Sequence, residues 1–139
     1  MTSEDLVWLI RVTGMLHFVQ VPGMVLTLSR LRIGEQLREV PPLLRQMMLV
    51  MGGGIVLSVL GTGACIALGA ADVASSRLGY YLCCFGAVFW GYRSAIQIAI
   101  YARSFPRDAS AVHHALSVLF PVKTLAYVSC LLFLPGPWR

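Results

Sequence analysis

Acidic residues are scarce in this sequence, and where they are missing matters most. Of 139 residues only six are Asp or Glu: Glu4, Asp5, Glu35, Glu39, Asp72 and Asp108. Charged residues of both signs make up 12% of the chain, about half the quarter usual in soluble domains. A water-soluble fold of this length would lack the polar side chains to cover its surface. Lipid around most of that surface removes the difficulty.

Several motifs are also missing. There is no Gly-x-Ser-x-Gly elbow, no HExxH and no carboxylate pair, which argues against the common hydrolase chemistries. The run Gly52, Gly53, Gly54 lacks the lysine and the preceding strand of a phosphate loop. None of Cys65, Cys83, Cys84 and Cys130 forms a CxxC pair, so the redox-motif signal is weak. The four thiols all fall about one turn from the same ends of their apolar runs. The favoured expectation is that they are small apolar residues, and the alternative is that they meet as thiol or metal ligands, as in a disulfide exchange enzyme. The loops are too short to make a basic, base-stacking surface, so nucleic acid is not an expected partner.

What is present is apolar sequence. Hydrophobic residues account for 58% of the chain, and the mean hydropathy is +0.76. Four runs stand out, at about 6–29, 47–70, 79–102 and 112–134. Each is long enough for a helix to cross about 30 Å of hydrocarbon. Helices are required because unpaired backbone groups are too costly in lipid. The expected fold is all-α: a four-helix transmembrane bundle in a single domain, multi-pass in the cell membrane, with almost nothing outside it. Glu4 and Asp5 stand where a cleavable signal would carry basic residues, so no such signal is expected.

The net charge is +5, and its distribution suggests an orientation. Loop 30–46 holds Arg30, Arg32, Arg38 and Arg45, and loop 103–111 holds Arg103 and Arg107. Loop 71–78 offers Arg77, and the C-terminal tail offers Arg139. The positive-inside rule then puts loops one and three in the cytoplasm and both termini on the outer side. Residues 33–40, ahead of Pro41 and Pro42, form a short amphipathic stretch expected to lie on the membrane surface.

Small residues recur at every fourth position in the third run: Gly79, Cys83, Ala87, Gly91, Ala95 and Ala99. The second run has a looser series, Gly53, Gly61, Cys65 and Gly69, beside Gly54, Ser58 and Thr62. Such stripes let membrane helices approach closely. They predict that runs two and three pack together, and that leucine at Gly91 or Ala95 does more damage than Ala67→Leu. Pro22 and Pro121 fall inside runs one and four and permit kinks there.

The polar residues within the runs are the candidate site. Arg93, Gln97 and Tyr101 lie at i, i+4 and i+8 on one face, with Trp90 beside them. Thr13, His17, Gln20 and Met24 share a side of run one, and Lys123 and Tyr127 pair in run four. Arg93 keeps its charge because a guanidinium does not give up its proton in proteins. A charge at mid-bilayer is costly, yet no run contains an acid to offset it. Three companions for Arg93 are open: an anionic ligand, a partner's carboxylate, or freed carbonyls with the amides of Gln20 and Gln97. The missing acids also argue against a proton-driven transporter, which usually relies on a membrane carboxylate.

The leading expectation is a binding protein. His17, Gln20, Arg93, Gln97, Tyr101 and Lys123 would hold an anionic or carbonyl-bearing lipophilic molecule, such as a quinone, haem propionates or a lipid headgroup. His17 is a weak candidate haem ligand, and His113 and His114 lie too far from it to share a metal ion. The alternatives are an assembly subunit of a larger membrane complex and a small haem- or quinone-linked redox enzyme. The expected partners are membrane lipid or a lipophilic small molecule, with self-association or membership of a membrane complex.

Overall fold

A computed structural model describes residues 2–101 and 110–136, with the side chains of Ile100, Tyr101, Ser110 and Val112 outside the description. All regular structure among the described residues is helical. Helix α1 spans Ser3–Arg30, α2 Ile33–Gln36, α3 Pro42–Leu68, α4 Ala70–Ser75 and α5 Arg77–Ile96. A π-helical turn, Gln97–Tyr101, prolongs α5, and α6 spans Ser110–Phe133.

Local chemistry sets these limits. Thr2 caps α1 with a reciprocal pair: Thr2 Oγ1 accepts from the Asp5 amide at 3.2 Å, and Asp5 Oδ2 accepts from the Thr2 amide at 2.7 Å. The helix therefore begins before the apolar run does. Arg32 adopts a left-handed conformation (φ 49°) where the chain leaves α1. The amphipathic stretch 33–40 is helical only over the single turn of α2. Pro42 opens α3, where its missing N–H costs nothing, so α3 starts five residues before the apolar run. Loop 71–78 is largely replaced by α4 and the start of α5. Ser76 caps α5 by accepting from the Gly79 amide at 3.0 Å, and Gly79 lies against the Val73 carbonyl with no room for a side chain.

Among the described residues, three helices are long and apolar enough to cross a membrane: α1, α3 and the His113–Phe133 part of α6. Pro22 and Pro121 do lie inside α1 and α6.

The packing differs from the small-residue expectation. Helix α1 packs against α3 and α6, and α5 packs against α6, while α3 and α5 barely touch. The stripe fails for a geometric reason. Four residues turn the helix about 40° beyond a full turn, so Gly79 to Ala99 drift by about 200° around it. The face that α5 buries is Gly79, Cys83, Gly86, Trp90 and Ser94, which mixes steps of three and four and stays in line. Gly86 meets the Tyr127 ring directly, whereas a side chain at Gly91 would meet only Thr124 at 3.6 Å. Helices α1 and α3 do approach closely. A Cβ on Gly14 would lie 2.6 Å from the Ala67 amide nitrogen, and one on Gly63 would lie 2.6 Å from His17 Cβ. Ala67 is 4% exposed and Ala95 is exposed, so the expected order of leucine damage at these two positions is reversed.

Candidate functional site

Three hydrogen-bonded pairs join α1 to α6 in antiparallel register. Thr13 Oγ1 lies 3.6 Å from Cys130 Sγ, Tyr127 Oη lies 3.2 Å from His17 Nε2, and Lys123 Nζ donates to Gln20 Oε1 at 2.7 Å. The steps of four and three along α1 are matched by three and four along α6. The pairs therefore follow one another like rungs, about 4.5–6 Å apart at a rise of 1.5 Å per residue. All six side chains are buried. No buried side-chain nitrogen or oxygen among the described residues lacks a hydrogen-bond partner.

The middle rung fixes the histidine. His17 Nδ1 lies 3.2 Å from the Thr13 carbonyl, which can only accept, so Nδ1 carries the proton. In the neutral ring Nε2 then accepts from the Tyr127 hydroxyl. Both ring nitrogens are engaged, and axial ligation of a haem would require breaking one of these bonds. No cluster of three or more His, Cys, Asp or Glu suited to a metal ion occurs among the described residues. All four cysteines are free; Cys83 and Cys130 are buried and Cys65 is exposed.

Aromatic rings take the place of the missing acids. Lys123 is fully buried, and its Nζ sits 3.2 Å from the centroid of Trp90, whose negative face suits an ammonium. Trp90 meets His17 edge-on at 5.4 Å and Phe120 at 5.6 Å between ring centroids. The Arg93 guanidinium lies 5.5 Å from the Phe120 centroid. Arg93 and Lys123 thus each have a ring face, and Lys123 also has an amide oxygen.

Because α3 and α5 stand apart, a cleft opens between them. A cavity of about 450 Å³ extends along it, lined by Gln20, Met24 and Thr27 of α1, Ile55 and Val59 of α3, Phe89, Trp90, Tyr92, Arg93 and Ile96 of α5, and Leu116 and Phe120 of α6. A smaller cavity of about 150 Å³ lies nearer α4, where Ser58, Val59 and Thr62 face Leu82, Phe85, Gly86, Phe89 and Trp90 across His17 and Tyr127.

The six residues singled out from the sequence are therefore divided. His17, Gln20 and Lys123 belong to the seam around Trp90. Arg93 shares the larger cavity with Gln20. Gln97 Nε2 lies 3.0 Å from His113 Nδ1, near the end of the bundle that carries α2. The Tyr101 side chain, like the arginines of loop 103–111, lies outside the described residues. Thr13, Trp90 and Tyr127 complete the arrangement, and their respective i−4, i−3 and i+4 spacings from His17, Arg93 and Lys123 were the available signal. The α3 wall carried no signal, because apolar residues facing a cleft and facing lipid read alike. No protein-family model, curated protein or solved structure matches this chain.

Proposed function

We propose that the chain is a four-span protein of the cell membrane that binds an anionic or carbonyl-bearing lipophilic ligand in the cleft between α3 and α5. The fourth span is α5 with its π-helical turn, running from Arg77 to Tyr101. The arginines of loops 30–46 and 103–111 favour a cytoplasmic position for both loops and an outer position for both termini. The observation that carries the binding reading is the 450 Å³ cavity, apolar over most of its wall and bearing Arg93. A concave apolar site with a few fixed polar groups is the usual form of a small-molecule site. Gln20 sits on the same wall, and the seam behind it holds the floor in place.

Organic extraction of the purified protein followed by mass spectrometry tests this. The expected result is a lipophilic molecule in stoichiometric amount, reduced in Arg93→Gln. An extract matching bulk lipid from both proteins contradicts it. Reporter fusions after Arg107 and at the C-terminus test the orientation, and a cytoplasmic C-terminus refutes it.

One observation favours a second reading, a subunit of a larger membrane assembly. Gly52, Gly53, Gly54 and Gly61 have nothing within 4 Å of where a side chain would begin. That leaves α3 a smooth outer face on which another helix can pack. A strictly monomeric species in native mass spectrometry, with ligand bound, excludes it.

A further inference from the structure

The two cavities of the cleft share Val59, Phe89 and Trp90 as a common wall, and they differ in kind. Among the described residues, Arg93 is the only charged side chain lining either cavity. We infer that the ligand is a single-chain anionic amphiphile, lying along the cleft with its acidic head at Arg93 and the end of its tail in the smaller chamber. This rests on the cleft reading and narrows it to one chemical class.

Charge sets the head. A guanidinium offers five N–H donors in a planar fork, so Arg93 can serve an acid while keeping its protein contacts. Among the described residues, no carboxylate on either wall opposes an anion. Size sets the tail. An apolar cavity of about 150 Å³ is of the class that stays dry and takes a benzene-sized guest, so this chamber admits one chain end and not two. The His17 and Tyr127 polar groups at its floor are bonded to each other, which leaves them poorly placed to receive a polar head. A carboxylate on a fatty acid and a phosphate on a lysolipid share the required chemistry.

The test uses the full chain in detergent with Trp8→Phe and Trp138→Phe, leaving Trp90 as its only tryptophan. Stearate brominated at mid-chain should quench Trp90 saturably, because Trp90 stands between the two cavities. Arg93→Gln should weaken that binding by about tenfold, the loss expected for one charge-assisted hydrogen bond. The brominated alcohol of the same length should bind that weakly to both proteins. Thr62→Phe, which fills the chamber from α3, should weaken stearate and spare octanoate in calorimetric titrations. Stearate against lysophosphatidate then distinguishes the two sources of the head, and tighter binding of either supports the inference. Equal quenching by acid and alcohol, or by acid and a two-chain phosphatidylglycerol, overturns it while leaving the cleft reading in place. So does a short-chain benzoquinone that binds Arg93→Gln and wild type alike, or a Thr62→Phe protein with unchanged stearate affinity. No saturable quenching by any of these probes overturns both readings.

Discussion

The seam between α1 and α6 and the cleft between α3 and α5 lie side by side and use similar residues differently. In the seam, polar side chains find one another: Thr13 meets Cys130, His17 meets Tyr127 and Gln20 meets Lys123. In the cleft, Arg93 lies by the Phe120 ring and lines a cavity whose wall is mostly apolar. Lys123 and Arg93 are both basic residues within apolar helices, yet one is sealed behind Trp90 and the other lines a cavity. A basic residue within an apolar helix therefore does not by itself mark a candidate site. What separates the two is whether the surrounding helices close.

The largest effect should come where two long helices meet backbone against backbone with no side chain between, at Gly14. Gly14→Leu would drive a side chain into the Ala67 backbone, which cannot yield as a flexible side chain can. It should prevent recovery of folded protein, beyond the 1–3 kcal/mol typical of overpacking. Gly53→Leu, with nothing within 4 Å, should leave thermal stability within about 0.5 kcal/mol of wild type. Comparable losses from the two changes, read as folded yield and melting temperature, would contradict the packing described.

The next effect belongs to the seam. Gln20→Leu leaves the Lys123 amine buried without its acceptor and should cost about 2–3 kcal/mol, because an abandoned buried polar group carries its full desolvation cost. Adding Lys123→Met should recover most of that loss, since replacing both partners by apolar groups of similar shape can be nearly neutral. Chemical denaturation in detergent of the single and double variants measures this. No recovery in the double variant would mean that the pair does not act as a unit. Tyr127→Phe should cost less, about 0.5–1.5 kcal/mol, as expected of one hydrogen bond between membrane helices.

Much of this was legible in the sequence, and the remainder was hidden for physical reasons. Hydrophobic length located the apolar helices, but it missed the caps, because Thr2 and Pro42 begin their helices outside the apolar runs. The grouping of Thr13 with His17 and Gln20, and of Lys123 with Tyr127, follows from helical spacing. Their meeting across α1 and α6 depends on which helices are neighbours. That choice was misread from the fourfold stripe on α5, which drifts around the helix instead of staying on one face. The pairing of Gln97 with His113 was likewise out of reach, since it depends on how the end of α5 meets the start of α6. The cleft itself has no sequence signature: Val59 and Ile55 look the same whether they face lipid, protein or a ligand.

The contrast between seam and cleft is tested most directly by two substitutions measured side by side. Lys123 lines neither cavity of the cleft, whereas Arg93 lines the larger one. Thermal stability in detergent and bound-ligand content by mass spectrometry should be read on Lys123→Met and Arg93→Gln. Lys123→Met should melt lower and keep its ligand, because it leaves the Gln20 oxygen buried without its donor. Arg93→Gln should carry less ligand, with a smaller fall in melting temperature than Lys123→Met. The opposite pattern, with ligand lost at unchanged stability in Lys123→Met and retained at lowered stability in Arg93→Gln, would place the site in the seam and contradict the account.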